Sequence, residues 1–117
     1  MKYGKKIEVR FFRTASGNEP VREMLCALTP IEKKNIGSDL RAVQWRYPLG
    51  MPTVRRLSDG IFELRSELPN RISRILFVYF EEEIVLLHGF IKKTQQTPKQ
   101  DFETALKRFK ELKNEKK

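Results

Sequence analysis

The stretch from Glu83 to Thr94 constrains the fold more than any other part of the chain. Ile84 to Ile91 is almost continuously apolar, and it is too short and too rich in β-branched residues for a typical helix. Such a run is typical of a strand that is covered on both faces. A strand of this kind also needs neighbours on both edges, so the sequence predicts a sheet built around it.

The residues before Pro48 predict one strand followed by two helices. Charged and apolar side chains alternate near residues 6–12, as they do in a half-buried strand. Apolar residues at helical spacing predict a helix near 19–28, with Asn18 as its cap. Thr29-Pro30-Ile31-Glu32 forms a capping box and begins a second helix near 30–46, which ends before Pro48.

Beyond Pro48 the pattern changes to short strand-like runs joined by tight turns. Strands are expected near 54–57, 61–68, 72–80 and 84–92, in an antiparallel meander. Thr97-Pro98-Lys99-Gln100 repeats the helix-start pattern and predicts a last helix near 98–113. The N-terminal strand is the natural second neighbour of the central strand. The sequence thus predicts one α+β domain over residues 1–117, with a mainly antiparallel five-stranded sheet, a helix pair on one face and a C-terminal helix.

Composition limits the chemistry that this chain of 117 residues can perform. The net charge of +9 favours polyanionic partners such as nucleic acid. The sequence contains no run of about 18 apolar residues, so no membrane span is predicted, and the N-terminus does not resemble a signal peptide. Cys26 is the sole cysteine and is placed at an apolar helix position, so we expect no disulfide and a cytoplasmic location.

Metal sites and cofactor sites lack their usual residues. His88 is the only histidine, and no P-loop or dinucleotide fingerprint occurs among the six scattered glycines. We therefore expect neither a metal site nor a small-molecule cofactor. His88 itself lies within the central strand, where a histidine with a local hydrogen bond is commoner than a catalytic base.

Cations in the predicted sheet are the most informative polar residues. Arg65 and Arg74 lie at similar distances from the Pro69-Asn70 turn, which predicts that they are neighbours across two antiparallel strands. Two adjacent arginines repel each other unless an anion lies between them, and such local conflicts often mark a function. The alternative is that Glu63 and Glu67 neutralise them.

Three runs resemble the HigB branch of the RelE/ParE toxin superfamily. They are GIFELR at 60–65, RISRILF at 71–77 and, most specifically, LHGFIKKTQQTP at 87–98. The resemblance implies a toxin of a toxin–antitoxin pair, with a small sheet and two helices on one side. It also implies cleavage of messenger RNA on the ribosome and a small helix-turn-helix antitoxin, similar to HigA, as partner.

The resemblance also implies roles for individual residues. Arg74 matches an arginine that contacts the scissile phosphate, and Arg65 is a further phosphate ligand. Lys92 or Lys93 matches a basic residue at the end of the last strand, a candidate general acid or phosphate ligand. Arg71 is a substrate contact of lower rank on this resemblance. By residue type alone, Glu63, His88 and Phe90 are further candidate substrate contacts.

Two departures from the superfamily pattern bear on this assignment. Where some members carry catalytic lysines on the third strand, this chain has Ile61 and Glu63, so no general base is assigned. Glu63 is of a suitable type, although a strand carboxylate is more commonly paired with a neighbouring arginine. The last helix also lacks a tyrosine to stack on a base; Phe90, Phe102 or Tyr79 is of a suitable type, although each is more often a core residue.

The expected reaction needs no metal. The ribose 2′-OH attacks the adjacent phosphate, cations stabilise the phosphorane, and a donor protonates the leaving 5′-oxygen. Two alternatives remain open: a ParE-like poison of DNA gyrase, and a non-catalytic module that binds RNA or protein. An open cluster of Arg65, Arg74 and Lys92 or Lys93 would favour the ribonuclease. On that hypothesis, alanine variants at these positions fold normally and lose toxicity.

Overall fold

The computed structural model describes residues 6–92 and 97–115, with Lys92 described by its backbone alone. The first half contains β1 (Glu8–Phe11), α1 (Pro20–Cys26) and α2 (Pro30–Arg46). The second half contains the following elements: β2 (Val54–Arg56), β3 (Phe62–Leu68), β4 (Arg71–Phe80), β5 (Glu83–Lys92) and α3 (Lys99–Asn114). The elements occur in the predicted order, and their ends lie within a few residues of those expected from the sequence.

The strands form one sheet in the order β1-β5-β4-β3-β2. Strand β5 pairs in parallel with β1 on one edge and antiparallel with β4 on the other. The remaining pairs, β3 with β4 and β2 with β3, are antiparallel. The predicted α+β class and the two neighbours of β5 are therefore confirmed.

Helices cover both faces of this sheet. On one face α1 and α2 contribute Val21, Ile36 and Val43 to a core that includes Phe77 and Leu86 of the sheet. On the other face α3 packs Ala105 and Leu112 against a second core cluster, which includes Leu76, Val78, Val85 and Leu87. Alternate residues of β4 and β5 point to opposite helix layers, which explains why these strands are apolar at nearly every position.

A bulge in β5 changes which residues face α3. Leu76 pairs with His88 and Phe77 with Leu86, so Leu87 is an extra residue in the strand. One extra residue reverses the alternation of side chains beyond it. His88 and Phe90 consequently face α3, whereas strict alternation from Leu86 would have turned them toward the helix pair.

Only one of the three described helices begins with the N-terminal cap that its local sequence predicts. Thr29 caps α2 in a full capping box with Glu32, as predicted. The predicted caps of the other two helices are wrong, because α1 begins after Glu19 and α3 after Pro98, and neither has a side-chain cap. Cys26, expected on the apolar side of its helix, is exposed.

Within residues 6–92 and 97–115, no helix has the length and apolar character needed to cross a membrane.

Candidate functional site

The two candidate phosphate-binding arginines lie side by side on the face of the sheet that carries α3. Arg65 of β3 is directly opposite Arg74 of β4, and Phe90 of β5 continues the same row. In the next row Glu63 and His88 lie on either side of β4. The structure thus brings together five of the residues selected from the sequence.

Arg74 and Glu63 form a buried ion pair inside this cluster. The Nη1 atom of Arg74 lies 3.2 Å from Oε1 of Glu63, and both side chains are 0% exposed. Thr97, just before α3, donates a hydrogen bond of 2.5 Å to the other oxygen of Glu63. The repulsion between Arg65 and Arg74 is therefore relieved within the protein. In this conformation Arg74 does not reach solvent.

Arg65 differs from Arg74 because it borders an open cavity. This cavity has a volume of about 460 Å³ and lies where the edge of the sheet meets α2. Its other lining residues are mostly polar: Asn35, Ser38, Asp39, Pro52, Thr53 and Glu67. The guanidinium of Arg65 suits a phosphate, whereas the carboxylates of Asp39 and Glu67 repel one, so a phosphate in this cavity would have to lie beside Arg65.

His88 is held by two side chains of α3. Its Nε2 lies 2.6 Å from Oδ1 of Asp101, and its Nδ1 lies 3.3 Å from Nη1 of Arg108. Because a guanidinium only donates hydrogen bonds, Nδ1 accepts and Nε2 carries the proton to Asp101. The same Arg108 nitrogen donates to the Leu87 carbonyl at 2.9 Å, and burial lowers the pKa of Arg108. This network fastens α3 to β5 beside the bulge.

Arg71 lies on the opposite face of the sheet from Arg74. Its guanidinium binds Glu32 of α2, with Nη2 2.8 Å from Oε2. The backbone hydrogen bond from Thr29 lowers the pKa of Glu32, and Arg71 lowers it further, whereas burial acts in the opposite direction. The structure therefore separates Arg71 from the other candidate residues and makes it a partner of the α2 capping box.

The two lysines at the end of β5 can be placed only in part. The backbone of Lys92 pairs with Ile72, in the row beyond Arg74 and Phe90. Lys93 lies outside the described residues. The assignment of the proton donor to one of these lysines stays a prediction. Phe90, the remaining candidate, is only 9% exposed and belongs to the core beneath α3.

Sequence reasoning missed the contribution of α3 to this site. Thr97, Asp101 and Arg108 supply the contacts to Glu63 and His88 described above. A signal did exist, since Asp101 and Arg108 are seven residues apart and so share one face of the helix. That face also carries the buried Ala105 and Leu112, where charged residues indicate polar partners in the sheet.

A comparison with known protein families finds one whose model matches most of the chain. Residues 23–110 match the family model described as Phage derived protein Gp49-like (DUF891). The match runs from α1 to α3 and includes the whole β2–β5 meander. No curated protein matches the chain.

Proposed function

The chain belongs to the Gp49-like family of phage-derived proteins, part of the RelE/ParE-like toxin superfamily, and we propose that it is a HigB-like toxin that cleaves messenger RNA on the ribosome. The observation that carries this proposal is the direct cross-strand opposition of Arg65 and Arg74. A pair of guanidinium groups on one face of a sheet suits the crowded, doubly charged phosphorane of RNA cleavage.

The proposed reaction is a transesterification within the RNA. The 2′-oxygen forms a bond to phosphorus, the bond from phosphorus to the 5′-oxygen breaks, and a 2′,3′-cyclic phosphate remains. Arg65 binds the phosphate from the polar cavity at the edge of the sheet. Lys92 or Lys93 gives its proton to the leaving 5′-oxygen. Glu63 is the carboxylate of suitable type to accept the proton of the 2′-OH.

Arg74 and Glu63 require a change of conformation before they can take part. Both are fully buried, and Glu63 is occupied by Arg74 and Thr97. Because only Pro98 lies between Thr97 and α3, displacement of the start of α3 would free the carboxylate and expose both side chains. We therefore propose that docking on the ribosome opens this contact, whereas Arg65 is accessible beforehand.

The decisive experiment measures RNA and DNA damage in the same cells. Inducible expression of the chain should produce new messenger RNA ends and leave chromosomal DNA intact. Purified Arg65→Ala should cleave messenger RNA on translating ribosomes about 100- to 1000-fold more slowly than the parent, as expected for loss of one transition-state cation.

Lys110→Ala is the matched control for Arg65→Ala. Lys110 is exposed on α3, and its removal changes the net charge by the same amount. It should leave the cleavage rate nearly unchanged. A similar loss in both variants would show that general basicity, and not a site at Arg65, is responsible.

A second candidate function is poisoning of DNA gyrase. The buried, neutralised state of Arg74 favours it, because that activity does not need an open cluster of cations. In the expression experiment, DNA breaks with intact messenger RNA would select this function and overturn the ribonuclease proposal.

The proposed partner is a small helix-turn-helix antitoxin of the HigA type. The family relationship supports an antitoxin, and the net charge of +9 suits a partner that is acidic where it binds. Co-expression of the protein encoded next to this chain should restore growth, and the two proteins should purify together. Neither a membrane nor a small-molecule cofactor is part of the proposal.

A further inference from the structure

A groove that shares no lining residue with the cavity beside Arg65 lies between the helix pair and β1. Its volume is about 300 Å³, and its walls are formed by Phe11, Leu25, Ile36 and Leu40. These residues belong to the hydrophobic core on the face of the sheet that α1 and α2 cover, opposite α3. We call this the helix-pair groove. It is apolar and open to solvent, so its walls would gain from contact with another apolar group.

Gly37 keeps the groove open at a cost to α2. A glycine in a helix interior is less favourable than alanine. Packing does not require it, because a Cβ at this position would meet nothing nearer than Nη1 of Arg41 at 3.9 Å. Gly37 nevertheless lines the groove, where any larger side chain would occupy its space. A local penalty without a packing reason is typical of a functional position.

The rim of the groove is basic. Arg22 of α1 and Lys33 of α2 line it, and both side chains are exposed. Arg22 contacts Glu19 at 3.3 Å, a surface contact of the kind that contributes little stability. A partner that fits must therefore combine an apolar side chain with carboxylates. A second copy of this chain does not fit well, because it would bring two basic rims together.

From these observations we propose that the helix-pair groove binds an acidic amphipathic segment of the antitoxin. A large apolar side chain of that segment would enter between Phe11 and Leu40, and flanking carboxylates would pair with Arg22 and Lys33. The identity of the partner rests on the proposed function. The groove and the polar cavity beside Arg65 both border α2 but share no lining residue. This contact therefore holds the antitoxin without occupying that cavity.

Cys26 provides a direct test, because it lines the groove and is the sole cysteine of the chain. The measurement is the rate at which a maleimide modifies Cys26, followed by mass spectrometry of the toxin chain. The rate is compared for the chain alone and for its complex with the protein encoded next to it. We expect at least a tenfold slower reaction in the complex.

Each other outcome of this labelling experiment has a definite meaning. A stable complex in which Cys26 reacts as fast as in the free chain overturns the groove proposal and leaves the toxin proposal intact. Failure of the two proteins to associate counts against the proposed function itself. Slow labelling of the chain alone, together with a dimeric mass, assigns the groove to a second copy and overturns the antitoxin proposal.

Variants at the rim distinguish the effect on binding of a charge in the groove from that of a charge elsewhere on the helix. Lys33→Glu should weaken antitoxin binding about tenfold, as expected when a rim charge opposes a carboxylate. Lys34→Glu is the matched control, since Lys34 is exposed on the same helix and does not line the groove. It should change binding by less than about twofold. Equal losses in both variants would overturn the proposal.

Variants of Gly37 separate binding from folding. Gly37→Ala should raise Tm by about 2–5 °C, because alanine favours the helix. Gly37→Leu fills the groove and should weaken binding more than tenfold, with a circular dichroism spectrum like that of the parent. A folded Gly37→Leu chain that binds the antitoxin normally would overturn the proposal. If this variant does not fold, the comparison of Lys33→Glu with Lys34→Glu decides.

Discussion

Replacement of Arg74 by alanine tests the consequence of burying the Arg74–Glu63 pair. The side chains of both residues are 0% exposed, and the distance between Nη1 and Oε1 is 3.2 Å. Arg74→Ala leaves the Glu63 carboxylate buried, with the Thr97 hydroxyl as its remaining described donor. Without the Arg74 guanidinium, little positive charge remains to offset the free-energy cost of burying this carboxylate away from water.

The expected loss is large relative to the stability of a small domain. Breaking a buried ion pair by removing one partner costs about 3–5 kcal/mol. The free energy of unfolding of domains of this kind is about 5–15 kcal/mol, so Arg74→Ala should lose a large part of the total stability. For Arg74 the structure therefore changes the sequence-based expectation of a normally folded alanine variant. Loss of toxicity in Arg74→Ala would report instability as readily as loss of catalysis.

Urea denaturation at pH 7 provides the measurement. Arg65→Ala is the matched control, because Arg65 is the cross-strand neighbour of Arg74 and is only half-buried. It should lose no more than about 1 kcal/mol. The double variant Glu63→Leu/Arg74→Met, which removes both charges and keeps similar volumes, should recover most of the loss.

Two results would refute this reasoning. One is an Arg74→Ala chain whose free energy of unfolding lies within about 0.5 kcal/mol of the parent. The other is a double variant that is as unstable as the sum of its single variants, because the two residues would then not interact.

Two further predictions concern the opposite face of the sheet. The pKa of Glu32 lies below its ordinary value of 4.5 in the folded chain, so its contribution to stability is present above that value and is lost as pH falls through the folded pKa. Glu32→Gln should therefore reduce the loss of stability between pH 6 and pH 3 in urea titrations, whereas Glu23→Gln, at an exposed carboxylate of α1, should not. Gly89→Ala should lower stability by about 1–3 kcal/mol in thermal denaturation, because its Cβ would lie 2.6 Å from Sδ of Met24. If that clash is the reason, Gly89→Ala/Met24→Ala should be as stable as Met24→Ala alone; a double variant that is clearly less stable than Met24→Ala would contradict it.

The sequence by itself determined the elements of secondary structure and much of the sheet. Periodicity located the helices and strands, since that signal lies within each segment. The tight turn at Pro69-Asn70 was enough to pair Arg65 with Arg74, because a short turn leaves little freedom of register. The unbroken apolar run in β5 correctly indicated a strand covered on both faces, with a neighbouring strand on both edges. That α3 supplies the second cover was not predicted.

Tertiary structure determined which side chains of those elements contact one another. Thr29 and Thr97 begin the same local pattern, yet only Thr29 caps its helix. Thr97 instead donates to Glu63, which lies 34 residues away in the chain. A distant carboxylate thus replaced a local capping interaction, and local sequence carries no record of that competition.

Tertiary structure also decided which faces the candidate residues occupy. The extra residue in β5 turns His88 and Phe90 toward α3. Glu32 of α2 supplies the partner of Arg71, whose face already follows from the alternation along β4. The bulge and the ion pair depend on how segments far apart in the chain pack together. Sequence spacing therefore selected residues of the right chemical types, and packing determined that Arg74 is buried while Arg65 borders the open cavity.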